Sequence, residues 1–239
     1  MRLNAFLAAC GLASRRKVEA LVREGRVRVN GKIVLAPFFQ VDPDADDVRC
    51  DDRPVSMGER TYVVMNKPPG VVCAVTDKYD PVVVDLLPEE LRGARLWPVG
   101  RLDRESEGLL ILTDDGAFAQ EILHPSKGVL KGYEALLDAP LDEEGLARWR
   151  AGSQIEGRHV APVELSVLDR EPQGRWISVV IGEGLKREVR VMAKRAGRTV
   201  ERLIRRSIGG LVLVDLPSGA SVRSSFRDLY DKISRGGPI

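Results

Sequence analysis

Along the first 35 positions the apolar residues change period once, from helix to strand. Leu3, Phe6 and Leu7 recur at the spacing of one helical face, and Gly11 can close that helix. Ser14 stands where an N-cap hydroxyl is wanted, ahead of a second helix that turns Val18, Leu21 and Val22 to one side and ends at Gly25. Val27 and Val29 then alternate with Arg26 and Arg28, Asn30-Gly31 is a tight-turn dipeptide, and residues 33–35 return as a strand. Two helices leading into a hairpin are expected. Residues 42–60 are acidic, contain Pro and Gly, and are weakly patterned apart from a short strand at 48–50. This stretch reads as the edge of a small module and a linker, giving domains of 1–58 and 59–239.

Beyond the linker, YVVMNKPPGVV reads as a strand broken by Pro68-Pro69-Gly70, most simply a structural turn. Further strands are expected at 109–113, 133–138, 163–169, 175–181 and 210–214. Helices are expected at 117–123, 143–152 and 189–196, and VERLIRRSIGGL is also given a helical phase. The fold class is therefore α+β: a small helix–hairpin module, then a mixed, mainly antiparallel sheet with flanking helices.

Charge sharpens this picture because it is segregated. Residues 1–32 carry eight Lys/Arg against Glu19 and Glu24, and 186–206 carry nine against Glu188 and Glu201, although the chain's net charge is only +2. Arg15, Arg16 and Lys17 fall at the start of the second helix, and Arg23, Arg26 and Arg28 near its exit, as an outward basic stripe suited to phosphate. Lys186 and Arg187 open the second basic stretch and are read the same way. Other classes fall away. Cys10, Cys50 and Cys73 lack metal or disulfide spacing, and His124 and His159 lie in no metal-ligand pattern, so no metal is expected. Gly182-Glu183-Gly184 lacks the GxxxxGK[ST] pattern of nucleotide triphosphate binding. No run approaches the roughly 18 apolar residues of a membrane span, and the N-terminus does not follow the secretory pattern, so a cytoplasmic monomer is expected.

Candidate chemistry concentrates in WPVGRLDRESEGLLILTDDG, where Arg101, Asp103, Arg104, Glu105 and Glu107 interrupt apolar chain just before a buried strand. An aspartate between two arginines is favoured as the anion and can act as nucleophile or base. A structural ion pair in a turn fits the residues equally well.

Two resemblances bear on that choice. LASRRKVEALVREGRVRVNGKIV is similar to the small RNA-binding fold shared by a small-subunit ribosomal protein and several RNA-modifying enzymes, an S-four-like module. GRLDRESEGLLILTDDG, together with NKPPG, His124-Pro125, Lys131 to Tyr133 and GLKREVR, resembles the ribosomal-RNA pseudouridine synthases that carry such a module. That family isomerises uridine in RNA without a cofactor. The resemblance implies that Asp103 is the essential aspartate, attacking the anomeric carbon or removing a neighbouring sugar proton, with both routes left open. It implies that Arg190 pairs with Asp103, that Tyr133 stacks beneath the target base, that Leu203, rather than Ile204, packs on its other face, and that Arg101 holds the flipped-out conformation. The partner implied is ribosomal RNA or a ribosomal assembly intermediate, with a large-subunit hairpin favoured over a small-subunit site. A non-catalytic assembly protein, and a nucleoside hydrolase using Glu105 or Glu107 as a second carboxylate, are the competing classes.

Overall fold

A computed structural model describes residues 1–235 of the 239; the last four residues of the expected second domain lie outside them. The chain divides into two compact units, Met1–Arg60 with Asp114–Gly116, and Thr61–Thr113 with Ala117 onward.

The first unit opens with helices α1 (Leu3–Ala9) and α2 (Arg15–Arg23), the latter capped by Ser14 Oγ accepting from the Lys17 N–H at 3.4 Å. Strands β1 (Val27–Val29) and β2 (Lys32–Ile33) form the expected hairpin. Asn30 and Gly31 both take positive φ at its turn, as a two-residue hairpin loop requires. The return strand stops at Ile33, short of the expected 35. Strands β3 (Val48–Cys50) and β4 (Arg53–Pro54) complete a sheet ordered β2-β1-β3-β4. Leu3, Phe6, Leu7, Val18, Val22, Val27, Val29, Val48 and Cys50 are buried together, so the apolar spacing marked the core correctly.

The second unit comprises β5 (Tyr62–Lys67), α3 (Glu89–Arg92), β6 (Trp97–Pro98), β7 (Glu107–Thr113), α4 (Gly116–Leu123), β8 (Lys131–Leu137), α5 (Glu143–Arg150), β9 (Ser153–Ile155) and β10 (Arg158–Val160). It continues with β11 (Glu164–Val167), β12 (Trp176–Ile181), α6 (Glu188–Arg195), β13 (Val200–Ile208), β14 (Leu211–Val212), β15 (Ser221–Ser224) and α7 (Phe226–Arg235). Among the described residues its main sheet is nine-stranded, ordered β11-β12-β8-β13-β7-β5-β15, with β14 on β13 and β6 on β7. β13 runs parallel to β7 and antiparallel to β8, so the sheet is mixed. Both faces are covered. Along β7, Leu110 and Leu112 join a core with Trp149 and Met192, while Leu109 and Ile111 join another with Phe118 and Leu229. Such two-sided burial, roughly 1.5–3 kcal/mol per large apolar side chain, explains why this strand reads as an unbroken apolar run.

One element departs from expectation in kind. VERLIRRSI is a strand, β13, not a helix. Its register against β8 slips between Val200 and Arg202 and again between Arg205 and Ser207. Each slip shifts the alternation by one residue and spaces Val200, Leu203, Ile204 and Ile208 as a helix would.

Candidate active site

The Gly100–Ser106 segment leads from β6 into β7 and is braced from several sides. Lys67, at the end of β5, is fully buried, and its Nζ donates to the carbonyls of Pro68, Arg104 and Ser106 at 2.9, 3.0 and 2.7 Å. Burial lowers its pKa from the ordinary lysine value, and the three carbonyls satisfy the ammonium's three donors. The Gly70 N–H donates to the Arg104 carbonyl at 2.8 Å, and the Leu102 N–H to Cys73 Sγ at 3.3 Å. Just beyond, Gly108 takes φ 101, and a Cβ there would stand 2.3 Å from the Arg205 carbonyl oxygen. Only glycine lets β7 and β13 approach so closely.

Asp103 projects from this braced loop, and its Oδ2 lies 3.5 Å from Arg187 Nη1 and 3.7 Å from Arg190 Nε. Arg187 immediately precedes α6 and Arg190 stands in its first turn, so one helix start supplies both cations. Arg190 is anchored by Nη1 donating to the Val200 carbonyl at 2.9 Å and Nη2 to Ser106 Oγ at 3.4 Å. Burial and the neighbouring Arg187 lower its pKa, with Asp103 and Glu105 opposing them. The local pairing suggested by sequence does not form. Arg104 instead joins Asp80 and Glu105, at 3.0 and 3.1 Å, and Arg101 makes no ion pair among the described residues. Glu107 pairs with Arg202 at 2.7 Å, so neither Glu105 nor Glu107 stands as a free second carboxylate beside Asp103.

A cleft of about 170 Å³ opens at Asp103, lined also by Arg101, Tyr133, Arg187, Leu203 and Arg205. Tyr133 comes from β8 and Leu203 from β13; both are nearly buried. Ile204, pointing to the opposite side of β13, is absent from the lining. Arg190 reaches Asp103 without lining the cleft, and Lys186 is exposed outside the lining. The cleft also contains residues that sequence reasoning passed over. Arg205 is 4% exposed; its Nε donates to the Leu109 carbonyl at 2.8 Å, and its Nη2 is buried without a hydrogen-bond partner among the described residues. Lys131 and Glu188 complete the inner wall. Arg187, read as a phosphate contact, faces Asp103 as well.

In the first unit Arg15, Arg16 and Lys17 are exposed and form no ion pair among the described residues. Arg23, Arg26 and Arg28 do: with Glu19 at 3.1 Å, Asp51 at 2.5 Å and Asp52 at 3.3 Å. No group of three or more His, Cys, Asp or Glu among the described residues is placed to hold a metal ion, and no described helix is long and apolar enough to cross a membrane.

With this geometry in hand, residues 61–195 match the family model for RNA pseudouridylate synthase, and residues 1–47 match the S4 domain. The chain belongs to the RNA pseudouridylate synthase family. An uncharacterised RNA pseudouridine synthase of Aquifex aeolicus is 36% identical to this synthase, over 92% of this chain and 88% of its own. The ribosomal large subunit pseudouridine synthase B of Bacillus subtilis is also 36% identical, over 91% and 89%. A crystal structure of a pseudouridylate synthase superposes with a TM-score of 0.68 at 28% identity, covering 98% of this synthase and 99% of that chain. Both halves of the expected α+β architecture, the RNA-binding module and the synthase fold, are thereby shown.

Proposed function

We propose that this synthase converts a uridine of large-subunit ribosomal RNA, in a hairpin, to pseudouridine, with Asp103 as the catalytic carboxylate. The observation that carries the reading is the Asp103 oxygen lying between Arg187 and Arg190 at a cleft walled by Tyr133 and Leu203. Two guanidiniums within ion-pair distance of one carboxylate oxygen fix where that oxygen stands in the cleft.

The reaction breaks the C1′–N1 bond, turns the uracil and joins C5 to C1′; C5 loses its proton and N1 takes one up, directly or by exchange with solvent, so no atom or electron is gained or lost overall. An ionised carboxylate serves either opening step, attack at C1′ or removal of the neighbouring sugar proton. The ring of Tyr133 offers a stacking face and Leu203 an apolar one, fitting a planar base between them. Extracting that base from a stacked helix costs roughly a few kcal/mol, which Arg101 at the cleft mouth offsets by holding the flipped backbone. Arg15, Arg16, Lys17, Arg23, Arg26 and Arg28 of the first unit, with Lys186 and Arg187, supply sequence-independent phosphate affinity. The large-subunit assignment draws support from the name of the Bacillus subtilis relative.

The test is to incubate the purified protein with large-subunit and small-subunit rRNA transcripts and to map pseudouridine by mass spectrometry. Conversion at one large-subunit uridine, without added cofactor, is expected. Conversion confined to small-subunit RNA would overturn the substrate, tight binding without product would indicate an assembly factor, and released free uracil would indicate hydrolysis.

A further inference from the structure

Glu188 opens α6, is 3% exposed and lines the cleft, yet no step of the reaction employs it. Its Oε2 accepts from two consecutive backbone N–H groups, those of Gly184 and Leu185, each at 2.8 Å. On the neighbouring residue, Lys131 Nζ donates to the Glu183 carbonyl at 3.2 Å, while also donating to the Val129 carbonyl at 3.0 Å. Three backbone polar groups of the 183–185 turn, one from each residue, are thus held by two charged side chains, one rooted in α6 and one in β8.

The turn needs such holding. Glycine gives a chain its widest choice of conformation, and Gly182 and Gly184, the latter at φ 103, bracket Glu183. Two residues after the turn, Arg187 sits at φ 55 and ψ 27, a left-handed conformation that a non-glycine residue keeps only where its surroundings over-determine it. From that conformation Arg187 reaches Asp103, and α6 begins in the orientation that brings Arg190 to the same oxygen. The other oxygen of Glu188, Oε1, is buried without a hydrogen-bond partner among the described residues. A buried carboxylate with one bare oxygen is a poor stability device, which argues that its worth lies in what the other oxygen fixes.

We infer that Glu188, with Lys131 acting on the same turn, is a positioning residue that clamps the 183–185 turn so that Arg187 and Arg190 converge on Asp103. The inference rests on the catalytic reading of Asp103 given above. Single-turnover rates and RNA dissociation constants for Glu188→Ala, Glu188→Gln, Arg187→Ala and the Glu188→Ala/Arg187→Ala double variant test it. Glu188→Ala is expected to lose about ten- to hundredfold in rate, the scale of an ångström-level misplacement, while its RNA affinity stays near that of the parent. Glu188→Gln, whose amide oxygen can still accept from both N–H groups, should restore most of the rate. In the Arg187→Ala background, removing Glu188 should cost less than in the parent, because one of the two groups it orients is gone. Parental rate in Glu188→Ala, equal loss in Glu188→Gln, or fully multiplicative losses in the double variant would each overturn the clamp. If Glu188→Ala melts below the assay temperature, Glu188→Asp, one methylene too short to bring an oxygen to both N–H groups, takes its place with the same expected loss. Absence of pseudouridine with the parent protein would instead strike at the catalytic reading itself.

Discussion

On α2 the charged ends of Arg15, Arg16 and Lys17 stand in solvent with no ion pair among the described residues, whereas at the start of α6 Arg187 and Arg190 both turn onto one carboxylate. In sequence the two segments look alike, each a cluster of basic residues on an amphipathic helix. They differ in what lies around the charge. A solvated cation on a helix face is screened by salt and exchangeable for its neighbour, while Arg190, with its side chain 13% exposed and tied to Val200 and Ser106, is fixed in geometry and hard to replace. Arg26 and Arg28 fall between these cases, exposed but already facing Asp51 and Asp52. Basic density therefore marks where RNA can be held, and burial against an acid marks where chemistry is arranged.

Breaking the α6 side of this comparison should have the largest effect. Arg190→Met leaves the Asp103 carboxylate without its anchored cation and should lower the single-turnover rate by a factor on the order of 10², about 3 kcal/mol, with RNA binding nearly unchanged. Arg190→Lys should recover little, because an ammonium cannot span Val200, Ser106 and Asp103 together. Next comes the cleft wall. Tyr133→Ala should lose about 1–3 kcal/mol of base stacking, read as a combined fall in kcat/KM on a short hairpin, and Tyr133→Phe should keep most of it. On the α2 side, neutralising Arg15, Arg16 and Lys17 together should reduce the slope of log affinity against log salt by roughly two to three while leaving the rate at saturating RNA unchanged. The Arg26→Ala/Arg28→Ala pair should shift that slope less, since Asp51 and Asp52 already compete for those charges. A large loss of saturated rate in the α2 variant would erase the distinction drawn here.

The smallest effect concerns stability. Burial raises the pKa of Glu188 above 4.5, with the backbone N–H groups of Gly184 and Leu185 and nearby Lys131 opposing it and Glu183 adding to it. The folded state then holds the proton more tightly than the unfolded one, so stability falls as pH rises through the folded-state value. Glu188→Gln does not titrate and should melt slightly higher than the parent at neutral pH. That gap should close below pH 4.5.

How far the molecule could be read in advance depends on the strength of local signals. In the first unit, Ser14 as a cap, Asn30-Gly31 as a turn and the Leu3, Phe6, Leu7 spacing each specify local geometry unaided, and the helix–hairpin followed. β13 was misread because two register slips make an irregular central strand imitate helical spacing. β15 and α7 carried no expectation. At the candidate site, the cluster around Asp103 was visible as charge interrupting apolar chain, but of its two cationic neighbours only Arg190 was assigned to it, through the family pattern, while Arg187 was read as a phosphate contact. Proximity in sequence pointed to Arg101 and Arg104, while the fold delivers Arg187 and Arg190 from more than eighty residues away. Lys67, Arg205 and Glu188 went unread because a buried charge looks like a surface one until its carbonyls and amides are in place. The one available signal was a lysine closing a strand that is apolar as far as Met65, directly before Pro68-Pro69.

The most direct test of the account is Asp103→Asn, compared with the parent under single-turnover conditions on the same converted RNA, with binding measured in parallel. The substitution keeps the shape of the side chain and removes only its charge. Pseudouridine should fall to the detection limit while RNA affinity stays within about threefold. Product formed at a rate close to the parent's would mean that the chemistry belongs to another group.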